Sequence, residues 1–177
     1  MDSILQAIYT HLDERQKVES RDDGWYAAYA GVNVVDEIKN ALEYTKNCRD
    51  AKDLRKAFDA HYDVIGMPYT NSYANEVVTK GVCIAKMVNG NVKDAITIAS
   101  DIGRDTDSVA AIAGGIAGAL TGSTTIPPEW IQKADDATKA LPYTNNRRTL
   151  RQHADGIYDA FKNKLQLLTA NADLMDY

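Results

Sequence analysis

The sequence predicts an all-α fold. Apolar residues recur at the three- and four-residue spacing of an amphipathic helix along most of the chain. No segment alternates apolar and polar residues as a half-buried strand does. With 177 residues, 45% of them hydrophobic, the chain is long enough to bury a core. We therefore expect residues 1–177 to form one all-α domain, or the C-terminal part of a larger all-α domain.

Amphipathic spacing predicts four helices in the first half of the chain. They are a helix lined by Ile4, Leu5, Ile8 and Leu12, one from about Trp25 to Tyr44, one containing Leu54 and Phe58, and one from about Ser72 to Val88. Asp50 is the expected N-cap of the third helix, because its side chain can accept a hydrogen bond from a free amide there. Residues 62–69 are predicted to form a loop. Asn89-Gly90 favours the left-handed turn that ends a helix.

Four helices are predicted in the second half. Asn91 is the expected cap of a helix over residues 92–100, and Gly103 interrupts the pattern. A buried helix follows over residues 109–120, and Pro127-Pro128 opens a short helix containing Trp130. The last long helix carries an apolar stripe that is expected to pack on the rest of the protein, formed by Leu150, Ala154, Ile157, Phe161, Leu165 and Leu168.

Composition argues against several classes of partner. The net charge is -5, with 20 basic against 25 acidic residues, so the chain lacks the positive field that attracts nucleic acids. The longest apolar run, residues 109–120, is shorter than the ~20 residues that span a bilayer. Cys48 and Cys83 do not form a disulfide framework. We expect no nucleic-acid or membrane partner and a cytoplasmic location.

The segment before the small-residue helix carries the residues of most chemical interest. Asp105, Asp107 and Ser108 supply two carboxylates and a hydroxyl from one short stretch, ligands that suit Mg²⁺, Mn²⁺ or Ca²⁺ better than zinc. A simpler interpretation makes Asp107 a helix cap and Asp105 a solvated loop acid. A phosphatase with Asp105 as nucleophile would need a strand leading into the motif, and none is evident.

Glycines in the helix that follows are costly and need a reason, since each disfavours a helix by roughly 1 kcal/mol relative to alanine. Gly114, Gly118 and Gly122 are four residues apart and share one face. We expect another backbone to approach this face closely. Such packing would fix the direction of the acidic segment.

The run from Gly103 to Gly122, together with Ile126-Pro127 and Trp130, resembles the C-terminal signature of the ADP-ribosylglycohydrolase family. A helix that begins near Asn75 and the segment Gly-Asn-Val-Lys-Asp-Ala after it resemble the family more weakly. The resemblance implies an all-α bundle with a two-metal site, holding Mg²⁺ or Mn²⁺, that hydrolyses N- or O-glycosidic links of ADP-ribose.

Site residues follow from the same resemblance. Asp105, Asp107 and Ser108 match the C-terminal metal ligands of the family, and the residues between and before them, Gly103, Arg104 and Thr106, are expected to contact the ADP-ribose or ADP-ribosylated substrate. No catalytic acid or base is assigned.

One departure from the family pattern concerns the second metal-binding motif, a Thr-Asp-Asp cluster near the N-terminus. Asp22-Asp23 is the nearest equivalent, but it lacks the preceding hydroxyl and is interpreted as a turn or cap. We expect this chain to supply the C-terminal half of a dinuclear site, with a companion chain or a homo-oligomer completing the fold. The alternative is a catalytically inactive helical module that serves in binding or assembly.

Overall fold

The computed structural model describes residues 3, 5–7, 10, 34–62, 74–141 and 147–175, with the side chains of residues 171–175 excepted. The described residues are helical or lie in turns, and none of them forms a strand, which confirms the all-α class. Their helices are α1 (Val34–Tyr44), α2 (Ala51–Tyr62), α3 (Ala74–Met87), α4 (Val92–Asp101), α5 (Thr106–Thr121), α6 (Pro128–Ala140) and α7 (Leu150–Met175).

The chain divides into two compact units, residues 1–125 and residues 126–177. In the first unit α3 packs against α1, α4 and α5, and α4 packs along α5. In the second unit α6 contacts α7. The prediction of one domain over residues 1–177 stays a prediction.

Helix α3 is central to the first unit because almost its whole surface is covered. Its segment from Gly81 to Ala85 is continuously buried. Val82 packs with Leu5 and with Ile38 of α1 in one apolar cluster. Phe58 of α2 is fully buried as well. Helix α3 therefore forms the interior of the first unit, even though Glu76 and Lys80 are among its buried residues.

The predicted helix ends are largely confirmed. Asp50 Oδ1 accepts a hydrogen bond from the Asp53 amide at 2.8 Å, and Asn91 Oδ1 accepts one from the Asp94 amide at 3.1 Å. Asn89 and Gly90 have φ values of 49° and 81°, the left-handed turn expected after α3.

Some predicted features cannot be compared with the structure. Residues 63–69, the helix start near Trp25, and the residues Ile4, Ile8 and Leu12 lie outside the described residues. Tyr62, predicted to begin a loop over residues 62–69, is instead the last residue of α2.

Helix α5 differs from the prediction of a buried, glycine-packed helix. Val109, Ala113 and Ala117 are buried, but the opposite face is exposed at Ala111, Gly115 and Ala119. This helix packs on α3 and α4 from one side only.

The expected approach of another backbone to the face of Gly114, Gly118 and Gly122 is wrong for the described residues, because only side chains come near this face. A Cβ at Gly118 would lie 3.9 Å from Val92, an ordinary contact, and one at Gly122 would meet nothing within 4 Å. A Cβ at Gly114 would lie 3.0 Å from Ile96. The tightest approach of α5 to α3 is instead at Gly81, where a Cβ would be 2.5 Å from Ile112 Cγ2 and 3.3 Å from the Ala113 amide nitrogen.

Proline opens α6 as predicted, with Pro128 in its first turn. The apolar stripe of α7 forms, but it is not buried. Its large side chains are between 46% and 73% exposed, and they include Leu150, Ile157, Phe161, Leu165 and Leu168. The expected burial of this stripe is therefore wrong for the described residues. None of the described helices is both long enough and apolar enough to cross a membrane.

Candidate metal centre at the start of helix α5

A short loop with unusual backbone geometry brings the acidic motif to the start of α5. Gly103 and Arg104 both have left-handed φ values, 84° and 63°. Asp105 follows with φ -78° and ψ 69°, and the Thr106 amide donates to the Arg104 carbonyl at 2.9 Å, which closes an inverse γ-turn. The Val109 amide then donates to the Asp105 carbonyl at 3.1 Å, the first bond of the helix.

The three predicted metal ligands come together at this turn. Asp105 and Ser108 are half-buried and Asp107 is exposed. Hydrogen bonding by the Ser108 side chain, and after it by the Asp107 side chain, lowers the pKa of Asp105 below its ordinary value. Asp105 occupies the N-cap position. A backbone hydrogen bond from Ser108 also contributes to the lowered pKa of Asp105.

The interpretation of Asp107 as the helix cap is wrong. Asp107 lies inside the first turn of α5, where a carboxylate is favoured by the helix dipole, and the cap position belongs to Asp105. The shift has a local cause, because the γ-turn at Asp105 lets the helix begin at Thr106, two residues earlier than a cap at Asp107 would allow.

These residues fit part of a divalent-cation site. Two carboxylates and a hydroxyl are hard oxygen donors of the kind that Mg²⁺ and Mn²⁺ accept, and the remaining positions can be filled by water. In the part of the chain that the structure describes, no group of three or more histidine, cysteine, aspartate or glutamate side chains is placed to hold a metal. Asp22-Asp23 lies outside those residues.

The predicted substrate contacts are arranged around the same turn. Gly103 lies beside the guanidinium of Arg55, which also donates to the Asp101 carbonyl at 3.3 Å, where α4 ends. Thr106 is half-buried at the first position of α5. Whether these residues contact a substrate stays a prediction.

Arg104 points into the protein rather than away from it. Its side chain is 10% exposed, and Nε lies 2.6 Å from Oε1 of Glu76 on α3. The same carboxylate oxygen accepts a hydrogen bond from Lys80 Nζ at 2.7 Å. Lys80 Nζ lies over the rings of Phe58 and Tyr62, 5.6 and 5.1 Å from their centroids. Glu76, Lys80 and Arg104 thus form a buried charged cluster next to the acidic motif.

Sequence reasoning does not single out Glu76 or Lys80. Their signal is visible afterwards: two charged residues four apart interrupt an otherwise apolar stretch of α3. Both are almost fully buried, with 2% and 1% exposed. Such burial is rare for charged side chains unless they are paired.

A second carboxylate, which is partly buried, lies beside this cluster. Glu37 of α1 accepts hydrogen bonds from the Tyr62 hydroxyl at 2.7 Å and from the Asn75 side-chain amide at 2.6 Å. Burial, and then the bond to Glu37, raises the pKa of Tyr62. Asn75 precedes Glu76 on α3, so α1, α2 and α3 are joined by polar contacts close to where α5 begins.

A comparison of the chain with known protein families agrees with this helical fold and this motif. Residues 2–166 match the ADP-ribosylglycohydrolase family. The chain therefore belongs to that family, and the family resemblance predicted from the Gly103–Gly122 run is confirmed.

Two curated relatives share shorter segments with the chain. An ADP-ribosylarginine hydrolase Tri1 from Pseudomonas putida (strain GB-1) is 51% identical over 45 residues, which are 25% of this chain and 12% of that protein. One of the same name from Serratia proteamaculans (strain 568) is 54% identical over 43 residues, 24% of this chain and 12% of that protein. The matched segment thus spans about an eighth of each relative. No solved structure matches the chain significantly.

Proposed function

We propose that this chain contributes to a metal-dependent hydrolase of ADP-ribosyl glycosidic bonds. The observation that carries the proposal is the meeting of Asp105, Asp107 and Ser108 at the first turn of α5 in a chain of the ADP-ribosylglycohydrolase family. The site would hold Mg²⁺ or Mn²⁺ and form half of a dinuclear centre.

The chain's own residues have distinct tasks in this proposal. Asp105 and Ser108 are half-buried and in contact, so their oxygens are held in place before a cation arrives. Asp107 is exposed, so its carboxylate is open to a ligand. A divalent cation, when bound, stabilises negative charge and orients water and substrate hydroxyls as an oxocarbenium-like centre develops.

The linkage proposed for cleavage is the N-glycosidic bond between ADP-ribose and an arginine side chain. Support comes from the names of the two Tri1 relatives, which are ADP-ribosylarginine hydrolases. A companion chain or a homo-oligomer that completes the site, and a cytoplasmic location, stay predictions.

Titration calorimetry with Mn²⁺ tests the proposed centre. We expect the parent chain to bind Mn²⁺ weakly, because two or three protein ligands leave the ion largely hydrated. Asp107→Asn should abolish the binding. Asp94→Asn is the matched control, since Asp94 is also an exposed aspartate in the first turn of a neighbouring helix but lies outside the motif. Equal heats for the parent and Asp107→Asn would contradict the metal site.

Release of ADP-ribose from an ADP-ribosylated arginine peptide tests the activity. The parent chain, together with any chain that co-purifies with it, should release ADP-ribose only when Mg²⁺ or Mn²⁺ is present, and Asp107→Asn should remove that release. Mn²⁺ binding without any release would contradict the hydrolase and favour the inactive helical module.

A further inference from the structure

Arg104 holds a backbone conformation that a non-glycine residue rarely adopts. Its φ of 63° follows directly on the left-handed Gly103. Left-handed conformations are unfavourable for residues with a Cβ, and they persist where surrounding contacts impose them. The direction of Asp105, Asp107 and Ser108 depends on this turn, because the turn sets where α5 begins.

One contact able to impose that conformation is the ion pair between Arg104 Nε and Glu76 Oε1, 2.6 Å apart. Glu76 is 2% exposed on the central helix α3, so its carboxylate is part of the rigid interior. Its other oxygen, Oε2, is buried and accepts no hydrogen bond from the described residues. The carboxylate is therefore held by what Oε1 contacts, namely Arg104 and Lys80.

Aromatic contacts help one carboxylate to face two cations here. Lys80 lies over the rings of Phe58 and Tyr62, which stabilise a buried ammonium through their π faces. Both cations share the Glu76 carboxylate, and its removal would leave two buried positive charges near each other, which is strongly unfavourable.

From these contacts we propose that Glu76 is a positioning residue for the candidate metal centre and acts through Arg104. The Glu76–Arg104 ion pair ties the loop before α5 to helix α3 and so fixes the Asp105, Asp107 and Ser108 oxygens relative to one another. Its effect on metal binding rests on the proposed function. Its effect on the loop does not.

Mn²⁺ affinity distinguishes positioning from simple electrostatics by the sign of the change. Arg104→Gln removes a positive charge beside the proposed cation site, so Coulomb attraction alone predicts tighter binding. Positioning predicts the reverse, a loss of about 10- to 100-fold, as is typical when support of metal ligands is removed. Glu76→Gln should weaken binding by a similar factor. The double variant should be no weaker than the weaker single one, because the two residues act as a unit.

Lys80→Met is the control for general destabilisation. It removes a buried charge from the same cluster but leaves Glu76 and Arg104 as a neutral pair. Its melting temperature should fall, whereas its Mn²⁺ affinity should change much less than that of Arg104→Gln. Tighter or unchanged Mn²⁺ binding by Arg104→Gln would overturn the proposal, and so would an equal loss in Lys80→Met.

Amide hydrogen exchange tests the loop without any metal. The Thr106 and Val109 amides are bonded to the Arg104 and Asp105 carbonyls, so both should exchange faster in Arg104→Gln and in Glu76→Gln than in Lys80→Met. Unchanged exchange at these amides would overturn the positioning role. If the parent chain binds no Mn²⁺ but the two amides exchange faster in Arg104→Gln and Glu76→Gln, the proposed metal site is overturned and the role of Glu76 in the loop is supported. Arg104→Gln keeps the test possible if Glu76→Gln fails to fold, because Arg104 lies in a loop rather than on α3.

Discussion

Glu76, Lys80 and Cys83 lie close together on α3, with 2%, 1% and 3% of each residue exposed. Lys80 Nζ donates a hydrogen bond to Glu76 Oε1 at 2.7 Å, so each of these two charges has a partner of opposite sign. Burial is the largest influence on the thiol of Cys83 and raises its pKa to about 12, although Thr45 and Lys86 act in the opposite direction. Cys83 is therefore a core residue rather than a nucleophile.

Thiol labelling should separate the two cysteines. At pH 8, well below its pKa of about 12, Cys83 is almost entirely in the thiol form, whereas the thiolate is the reactive form. Burial and the acids Asp53 and Asp50 also raise the pKa of Cys48, but its side chain is half-exposed. We expect an aromatic disulfide reagent to label one thiol in the native chain, that of Cys48, and the second only after unfolding.

Cys48→Ser is the control for this assignment and should show no labelling before unfolding. Two thiols that react at the same rate in the native parent chain would contradict the buried, protonated state of Cys83.

At the scale of elements, helix ends are set by residues close together in the sequence, whereas contacts between helices are set by residues far apart in it. Asp50 and Asn91 cap α2 and α4 through hydrogen bonds to amides three residues on, which sequence spacing is able to predict. The approach of α3 to α5 depends on Gly81, which lies in an unremarkable part of the sequence. A glycine matters there because Ile112 and the backbone of Ala113 occupy the place of a Cβ.

Two alanine substitutions should have opposite effects on stability. Gly115→Ala places a methyl group where nothing lies within 4 Å, so the better helix propensity should stabilise the protein by about 0.5 to 1 kcal/mol. Gly81→Ala would put Cβ 2.5 Å from Ile112 Cγ2, and the overpacking should cost about 1 to 3 kcal/mol.

Urea unfolding of the parent and both variants measures these changes in the free energy of unfolding. Each variant is the control for the other, since both replace a helical glycine by the same residue. A Gly81→Ala protein as stable as Gly115→Ala would show that α3 and α5 are farther apart than described.

At the scale of the whole molecule, burial is distributed unevenly between the two units. The buried core residues among those described all belong to residues 1–125. In residues 126–177, α6 has no buried residue and α7 exposes its apolar stripe. Apolar area removed from water is the main source of stability, so residues 1–125 should dominate the free energy of unfolding.

The chain contains two phenylalanines, which allow a matched test of that distribution. Phe58 is fully buried and lies beneath Lys80, whereas Phe161 is 59% exposed on α7. Phe58→Ala should cost about 3 to 5 kcal/mol. Phe161→Ala should change stability by less than about 1 kcal/mol.

Denaturant unfolding at two protein concentrations measures the change in the free energy of unfolding for both variants. A loss in Phe161→Ala as large as that in Phe58→Ala would contradict the exposure of the α7 stripe. If that loss also depended on protein concentration, it would indicate that a second copy of the chain packs on the α7 stripe in solution.

The sequence by itself determined the helical class, several helix caps, the acidic motif and the family. These features are encoded by residues close together in the chain: the spacing of apolar positions, a polar residue before a helix, and the run from Gly103 to Gly122. Such local features can be predicted without knowing which helices pack against each other.

The tertiary structure alone decided which faces are covered and which charges meet. The sequence wrongly predicted burial for the α7 stripe and close packing at Gly118, because periodicity marks an apolar face without saying whether a neighbour covers it. Glu76 and Arg104 are 28 residues apart, and no local pattern pairs them. Their contact exists because α3 is packed in the interior against α5, which brings the loop before α5 within reach of a buried carboxylate.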